Sequence, residues 1–387
     1  MIAKSSNPLS PDVTIRFNNM EVDYGSVVSF SLSLEENKHD TCTITMRGIH
    51  PKAITDFIDT PVRVMVSSGE LRKQEFCGYV LYVEPVSETR EGLVNGSPFQ
   101  TARIVCFGAT VVMKGADTKV WENTSIGVLS QYMANTYGFS LDTPYDTFAF
   151  PRQVQKAESD WAFLTRVASA YGYRVTVHGT HMHVWDQTKS LGRKASFNVL
   201  TTMRKQMDAA PGMILRFEGS FGYLTPDGDA TTYRTTTLDP SGKSLTVTSK
   251  DIPNISISGY PSDAEYSDTA FRPSQSTEEA RRFIDEKNKG GFPFNAWVDV
   301  TAGAGIVPGG VVYIDEYNSN FDGIWYVKSV THEVGGSMYI TKLEIGRDFT
   351  LGTEYQVPLV EPFATPPAPR FLNNVWTSSL PRVNKYV

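Results

Sequence analysis

His178, His181 and His183 fall within one short stretch, and clustered imidazoles are the first side chains to test as ligands for a transition metal. The Gly179-Thr180 turn between them reads as the tip of a tight hairpin, Tyr173–His178 followed by His181–Trp185. Strand alternation sends Tyr173, Val175, Val177, Met182 and Val184 to one face and leaves the imidazoles with Arg174, Thr176 and Trp185 on the other. No Asp or Glu lies nearby on that face to complete a coordination shell, so it is expected to meet solvent or a neighbouring subunit and to hold no metal.

The acid pairs Glu158/Asp160 and Asp315/Glu316 come next, because two carboxylates at a suitable separation are all that glycoside hydrolysis needs. Glu158 and Asp160 also fit the first turn of a helix, where acids favour the dipole, and Asp315 and Glu316 fit a strand end entering the Asn318-Ser319-Asn320 turn. Gly303-Ala304-Gly305-Ile306-Val307-Pro308-Gly309 imitates a dinucleotide loop, but its third glycine is one residue late and the strand Val311–Ile314 follows in place of a helix. His332-Glu333 lacks the second histidine of a metalloprotease helix, since Gly336 stands there. Cys42, Cys77 and Cys106 have no CxxC spacing and lie in alternating stretches, which marks them as core thiols. The rings of Trp185, Trp297 and Trp325 could serve a carbohydrate-binding module, and the same alternation suits them to a core or an interface. The expectation is a chain with no catalytic, cofactor-binding or metal-binding residues and no cofactor.

These residues sit on a chain of 387 residues, 40% apolar and 20% charged, long enough for about two to four domains. A formal charge of −6 removes the basic footprint of a protein that grips nucleic acid phosphates, so no sequence-specific nucleic acid binding is expected. No apolar run reaches the ~18 residues of a membrane span and the N-terminus has no apolar signal core, which argues for cytoplasmic synthesis without stable membrane insertion.

Period-two alternation at Val27–Leu34, Cys42–Met46 and Val62–Val66 predicts antiparallel strands, and residues 1–118 read as a first β-barrel domain. Residues 119–190 read as an α+β insert with two helices and the histidine hairpin. One helix is capped by Thr124 or Ser125, carries Ile126, Leu129, Met133 and Tyr137 on one face, and stops at Gly138. The other starts at Ser159 or Asp160, carries Trp161, Leu164, Ala168 and Tyr171, and stops at Gly172. Residues 191–350 read as a second β-rich region with a helix near 277–288 and a second barrel, and residues 351–387 as a Pro-rich extended arm. A weak repeat supports the pair of barrels. Val62–Val66, Phe76–Val83 and Ala102–Cys106 are followed later, in the same order, by Val311–Ile314, Phe321–Val327 and Met338–Leu343, each long strand opening on Phe-x-Gly.

The string Gln153-Val154-Gln155-Lys156-Ala157-Glu158-Ser159-Asp160-Trp161-Ala162-Phe163-Leu164-Thr165-Arg166, running on to Tyr171-Gly172, resembles the tail hub family. That family includes baseplate hubs of contractile phages, late control D proteins and the hub half of type VI secretion spikes. Glu279-Ala280 and the segment from Gly310-Val311-Val312 through Asp322–His332 look like the family's second barrel. The resemblance implies two tail-tube-like barrels per chain and a homotrimer whose pseudo-sixfold ring closes the tail tube. It also implies partners: a tail tube or distal tail protein on one side, a spike or tip protein on the other, and the tape measure protein. The location it implies is the virion tail, with DNA passing through the ring. No β-helix needle or wall-digesting segment follows residue 350, so piercing or digestion would belong to a partner chain. The alternatives are a tail-tip cell-wall hydrolase acting through surface carboxylates and a receptor or carbohydrate-binding module.

Phe363, Phe371, Leu372 and Trp376 on the arm call for a surface to cover, which is expected to be a neighbouring tail protein. Deleting residues 352–387 should therefore weaken assembly while leaving the thermal unfolding of the body unchanged. Undiminished assembly would count against a latching arm.

Overall fold

A computed structural model of the chain describes residues 11–18, 20–49, 55–68, 72–86, 100–142, 149–186, 198–201, 212–221, 234–238, 244–248, 294–315, 321–335 and 338–347. The expected helix at 277–288 and the arm at 351–387 lie outside these residues. The described residues all fall in one compact unit.

The chain is mainly β. Its first part forms β1 (Asp12–Phe17), β2 (Met20–Glu21), β3 (Val27–Glu35), β4 (Thr41–Ile49), β5 (Pro61–Ser68), β6 (Arg72–Val86) and β7 (Gln100–Gly108). The alternation read from sequence is the burial pattern: Phe30, Leu32 and Leu34 on β3 and Cys42, Ile44 and Met46 on β4 are buried, while their neighbours are half-buried. The insert contains β8 (Ala116–Ser125), α1 (Ile126–Tyr137), β9 (Ser140–Asp142), β10 (Ala149–Ser159), α2 (Asp160–Ala170), β11 (Tyr173–His178) and β12 (His181–Asp186). Both helices begin and end where their signals stand. The Ser125 and Ser159 hydroxyls accept from Val128 and Ala162 N–H, and Gly138 closes α1 in the left-handed conformation. The remainder forms β13 (Asn198–Thr201), β14 (Ile214–Phe221), β15 (Arg234–Leu238), β16 (Ser244–Thr248), β17 (Phe294–Thr301), β18 (Val311–Asp315), β19 (Gly323–Gly335) and β20 (Met338–Arg347).

Thirteen strands share one sheet, whose main path is β14-β17-β20-β19-β3-β4-β7-β6-β5-β1-β2, with β18 beside β19 and β13 beside β18. The first and last β regions are therefore hydrogen-bonded to each other, through Ser29–Glu35 of β3 and Ser329–Gly335 of β19. One apolar cluster runs under both, taking Leu32, Ile44, Val64 and Ile104 from the first and Val298, Val312, Trp325 and Leu343 from the last. The insert has its own core, in which Leu129 and Met133 of α1 and Phe163, Leu164 and Val167 of α2 meet Val175 and Met182 of the hairpin.

Within the sheet, the order β3-β4-β7-β6-β5 recurs as β14-β17-β20-β19-β18. The recurrence extends to single hydrogen bonds. Asp59 and Gly309, at φ of 60° and 80°, each donate their N–H to the carbonyl of Val80 or Val327 at 2.9 Å. The next residue, Thr60 or Gly310, accepts from the N–H of that same valine at 3.0 Å. Each long strand then bulges at the following residue, Leu81 or Lys328, and β3 and β14 bulge alike at Val28 and Leu215.

These registers correct the alignment drawn from sequence. Gly78 lies opposite Val62 and Trp325 lies opposite Val312, so the counterpart of Gly78 is Trp325, and that of Gly323 is Phe76. The error is two residues, which leaves every side chain on its own face and so cannot be seen in the apolar pattern. The two glycines answer different needs. A Cβ at Gly78 would stand 2.0 Å from the carbonyl oxygen of Phe107, whereas Gly323 adopts a φ of 126°. Gly78→Ala must accordingly push β6 off β7 and should cost at least about 2 kcal/mol in urea unfolding. Gly115→Ala, with nothing within 4 Å of the added methyl, should stay within about 0.5 kcal/mol of the parent.

Candidate functional site

The face of β11–β12 that carries the histidines is covered over most of its length, with His181 at its tip left exposed and His183 half-buried. It lies against the chain's own sheet, and the β3–β4 turn supplies the polar groups that were missing from the hairpin itself. Asn37 donates its N–H to the Val175 carbonyl at 2.8 Å, accepts from the Val175 N–H at 2.9 Å through Oδ1, and donates Nδ2 to Ser169 Oγ at 3.1 Å. The Glu36 carboxylate accepts from the Tyr326 hydroxyl, and its Oε2 stands 3.5 Å from Arg174 Nε. The Trp185 indole N–H donates to the same Tyr326 oxygen at 3.0 Å, and the Trp185 ring lies over Gly309 so closely that a Cβ there would be 2.3 Å away. Asp40 Oδ2 sits 3.0 Å from His178 Nδ1. Thr176 and Trp185 are buried with them.

The expectation of a face turned to solvent or a neighbouring subunit is thus overturned for Arg174, Thr176, His178 and Trp185, because groups distant in sequence cover them, while His181 stays exposed. Asp142 on β9 also approaches His183, at 3.7 Å. Among the described residues no group of three or more His, Cys, Asp or Glu side chains is arranged to hold a metal ion.

Burial sets the electrostatics of this seam. Desolvation lifts the Glu36 carboxyl to about 7, against the opposing pull of the Tyr326 hydroxyl, Arg174 and Lys328. It also raises Asp40, which His178 pulls the other way, and lowers His183 to about 4. A carboxyl near 7 suits general acid–base work only where substrate can reach it. Glu36 and Arg174 keep 12% and 14% of their side-chain surface, and their polar atoms are engaged with each other and with Tyr326. The arrangement acts as a lock between the insert and both β regions.

The other candidates are likewise held in structural contacts. Asp160 accepts from Gln155 Nε2 and from the Tyr137 hydroxyl, both at 2.7 Å, and Arg166 grips Glu158 with Nε at 3.1 Å from Oε2. Gln153 reaches the Tyr171 hydroxyl at 2.9 Å and Trp161 stacks on His39 at 5.4 Å. The string that carries the resemblance is therefore the splice between β10 and α2. His332 is enclosed, with Nδ1 2.9 Å from the Tyr339 hydroxyl, and burial lowers it to about 3. Gly303–Gly309 forms the turn that leads into β18, with Ala304 and Ile306 buried and Gly305 exposed. Cys42 and Cys106 are reduced and directly opposed across β4 and β7, and burial raises both thiols. Trp185 and Trp325 are sealed inside, and Trp297 is 52% exposed. Glu316 lies outside the described residues.

Sequence reasoning missed Glu36, Asp40 and Tyr326. An acidic Glu35-Glu36-Asn37-Lys38 turn carries the signal of a solvated loop, and nothing local announces the hairpin that covers it.

The description of the phage tail baseplate hub (GPD) family matches residues 41–337, which spans most of the sheet, the insert and the splice string. The chain belongs to that family. Its fold is similar to the 43 kDa tail protein of prophage MuSo2 from Shewanella oneidensis, at 12% identity and a TM-score of 0.60 over 87% of this chain and 98% of that one. A tail protein from Neisseria meningitidis MC58 matches at 11% identity and a TM-score of 0.63, over 88% and 98%. The E. coli c3393 protein, a type VI secretion component described as similar to the T4 tail proteins gp27 and gp5, matches at 10% and 0.53, over 88% and 78%. No match is found among curated protein sequences. As a member of the hub family the chain has a structural role in a phage tail.

The seam makes hub stability depend on pH in a defined sense. Glu36 has an ordinary carboxyl pKa near 4.5 when unfolded and about 7 when folded, so its protonation favours the folded state. That contribution is complete below the unfolded value and is lost as pH rises through the folded one. His183 and His332 act oppositely, favouring unfolding as pH falls below 6.5. Glu36→Gln removes only the first effect. The melting temperature of the parent relative to Glu36→Gln should therefore fall between about pH 4.5 and pH 7 and level off above, and a constant difference across that window would disprove the role of Glu36.

Proposed function

We propose that this chain is the structural hub at the tip of a phage or phage-like tail, acting as a homotrimer. Each copy supplies two related barrels, built on residues 1–118 and 191–350, with residues 119–190 as the insert and 351–387 as the arm. Six similar barrels around a threefold axis form a pseudo-sixfold ring that mates with a tail tube or distal tail protein above. Below, the ring carries a spike or tip protein and admits the end of the tape measure protein, and DNA passes through it during genome ejection. The net charge of −6 suits a conduit that does not retain DNA.

The observation that carries this reading is the five-strand repeat with matched turns and bulges. Two pseudo-equivalent units per chain are what an adaptor between threefold and sixfold symmetry needs. Family membership and the fold of the tail proteins support the same reading.

Light scattering on the purified chain, alone and with its neighbouring tail proteins, tests it. The expected particle has about three times the 42.9 kDa of one chain, either alone or once partners are added. A single-chain mass that persists with every tail protein present would overturn the reading.

A further inference from the structure

Asn295 on β17, Lys328 on β19 and Glu344 on β20 bring an amide, an amine and a carboxylate together in the last β region. Lys328 stands at the bulge of β19, between the pairs Val327–Ile345 and Ser329–Glu344. From there its side chain crosses β20 beside Gly346, which lies opposite Asn295 and has no side chain to block the way. Lys328 Nζ lies 2.5 Å from Asn295 Oδ1, so the amide carbon is one bond beyond the oxygen it touches. The same Nζ is 3.9 Å from Glu344 Oε1, and Ser329 Oγ donates to Glu344 Oε2 at 3.3 Å. Each of the three strands is paired on both sides, so the backbone holds these groups in place.

We propose that Lys328 and Asn295 join in an intramolecular isopeptide bond, with Glu344 carrying the proton. The step is an amide exchange and needs no oxidant or cofactor. Glu344 takes a proton from the Lys328 ammonium, and the freed amine adds its lone pair to Cγ of Asn295. The Cγ–Nδ2 bond then breaks. Nδ2 leaves as ammonium with the two protons that Nζ gives up, one of them by way of Glu344, which ends ionised as it began. The product is a secondary amide between Lys328 Nζ and Asn295 Cγ.

Position and environment both favour the exchange. Amine and amide are held in contact by the sheet, which makes an otherwise slow bimolecular reaction effectively unimolecular. Burial lowers the Lys328 ammonium below its ordinary value, against the pull of Glu344 and Glu36, and so raises the share of nucleophilic amine. Glu344 is near enough to pass the proton through one water. The bond replaces a half-buried cation by a neutral amide, which removes a desolvation cost. It also ties β17 to β19 across β20, closing the loop 295–328 beside the β3–β19 ladder.

Intact-mass spectrometry of the full chain, after the folded protein has been incubated at neutral pH, tests the bond. The expected mass is about 17 Da below that of the sequence, the loss of one ammonia. Trypsin should no longer cut after Lys328, and a protease that cuts after acidic residues should leave the peptides of Asn295 and Lys328 joined. Lys328→Arg, Asn295→Ala and Glu344→Gln should each keep the full mass of their own sequence. Thermal melting shows whether each variant folds, and the parent's mass decides even where one does not. A parent at full mass would overturn the bond. So would a loss of ammonia that persists in Lys328→Arg, because that is Asn295 closing on its own backbone. A link that forms unchanged in Glu344→Gln would overturn the part given to Glu344. The hub reading stands apart from all of these, since particle mass decides it.

Discussion

Seven consecutive residue pairs between Ser29–Glu35 and Ser329–Gly335 hold the first and last β regions in one sheet, and the rest of the fold is arranged around that ladder. β3 and β19 lie next to each other in the middle of the strand order, and Leu32, Leu34, Val330 and Val334 place buried side chains along the junction. The paired residues are about 300 positions apart in sequence, so closing the loop between them must be offset by the contacts they make. Those contacts are both polar and apolar. The ladder satisfies backbone groups, and the shared core removes apolar surface from water on both sides of it.

The polar seam above the ladder adds specificity of a different kind. Burying Glu36, Arg174, Asp40 and His178 is costly unless their geometry is right, so the insert has one favourable way to sit. Tyr326 is the residue in which the three parts meet. Its backbone pairs with Val311 and Gly346 in the sheet, and its hydroxyl joins Trp185 of the insert to Glu36 of the β3–β4 turn.

The two β units show how a repeat can persist in hydrogen bonding while its sequence drifts. Turn, bulge and register match, yet Gly78 and Trp325 occupy equivalent places. One unit brings β7 so close that no side chain fits, and the other fills the same position with the largest side chain in the core. Backbone geometry is constrained at every residue, whereas a side chain must only suit its own pocket.

Local signals were sufficient for many of the elements. Ser125 and Gly138, Ser159 and Gly172, the Gly179-Thr180 turn and the alternation through β3, β4 and β5 each act within a few residues, and each element stands where those signals put it. The splice string was legible as helix start and family mark alike. The β8–β10 pair was not seen, since its strands are separated by a helix and alternate weakly. The histidine face was misread for the same reason that Glu36 and Asp40 were missed: their partners come from the other side of the molecule. Sequence by itself determined β3, β4, β5, the hairpin β11–β12, the helices α1 and α2 and the caps of those helices, because those depend on periods and turns a few residues long. Only the tertiary structure decided which faces are covered twice, which glycine matches which residue, and which carboxylate meets which imidazole, because those depend on groups brought together across hundreds of residues by the ladder.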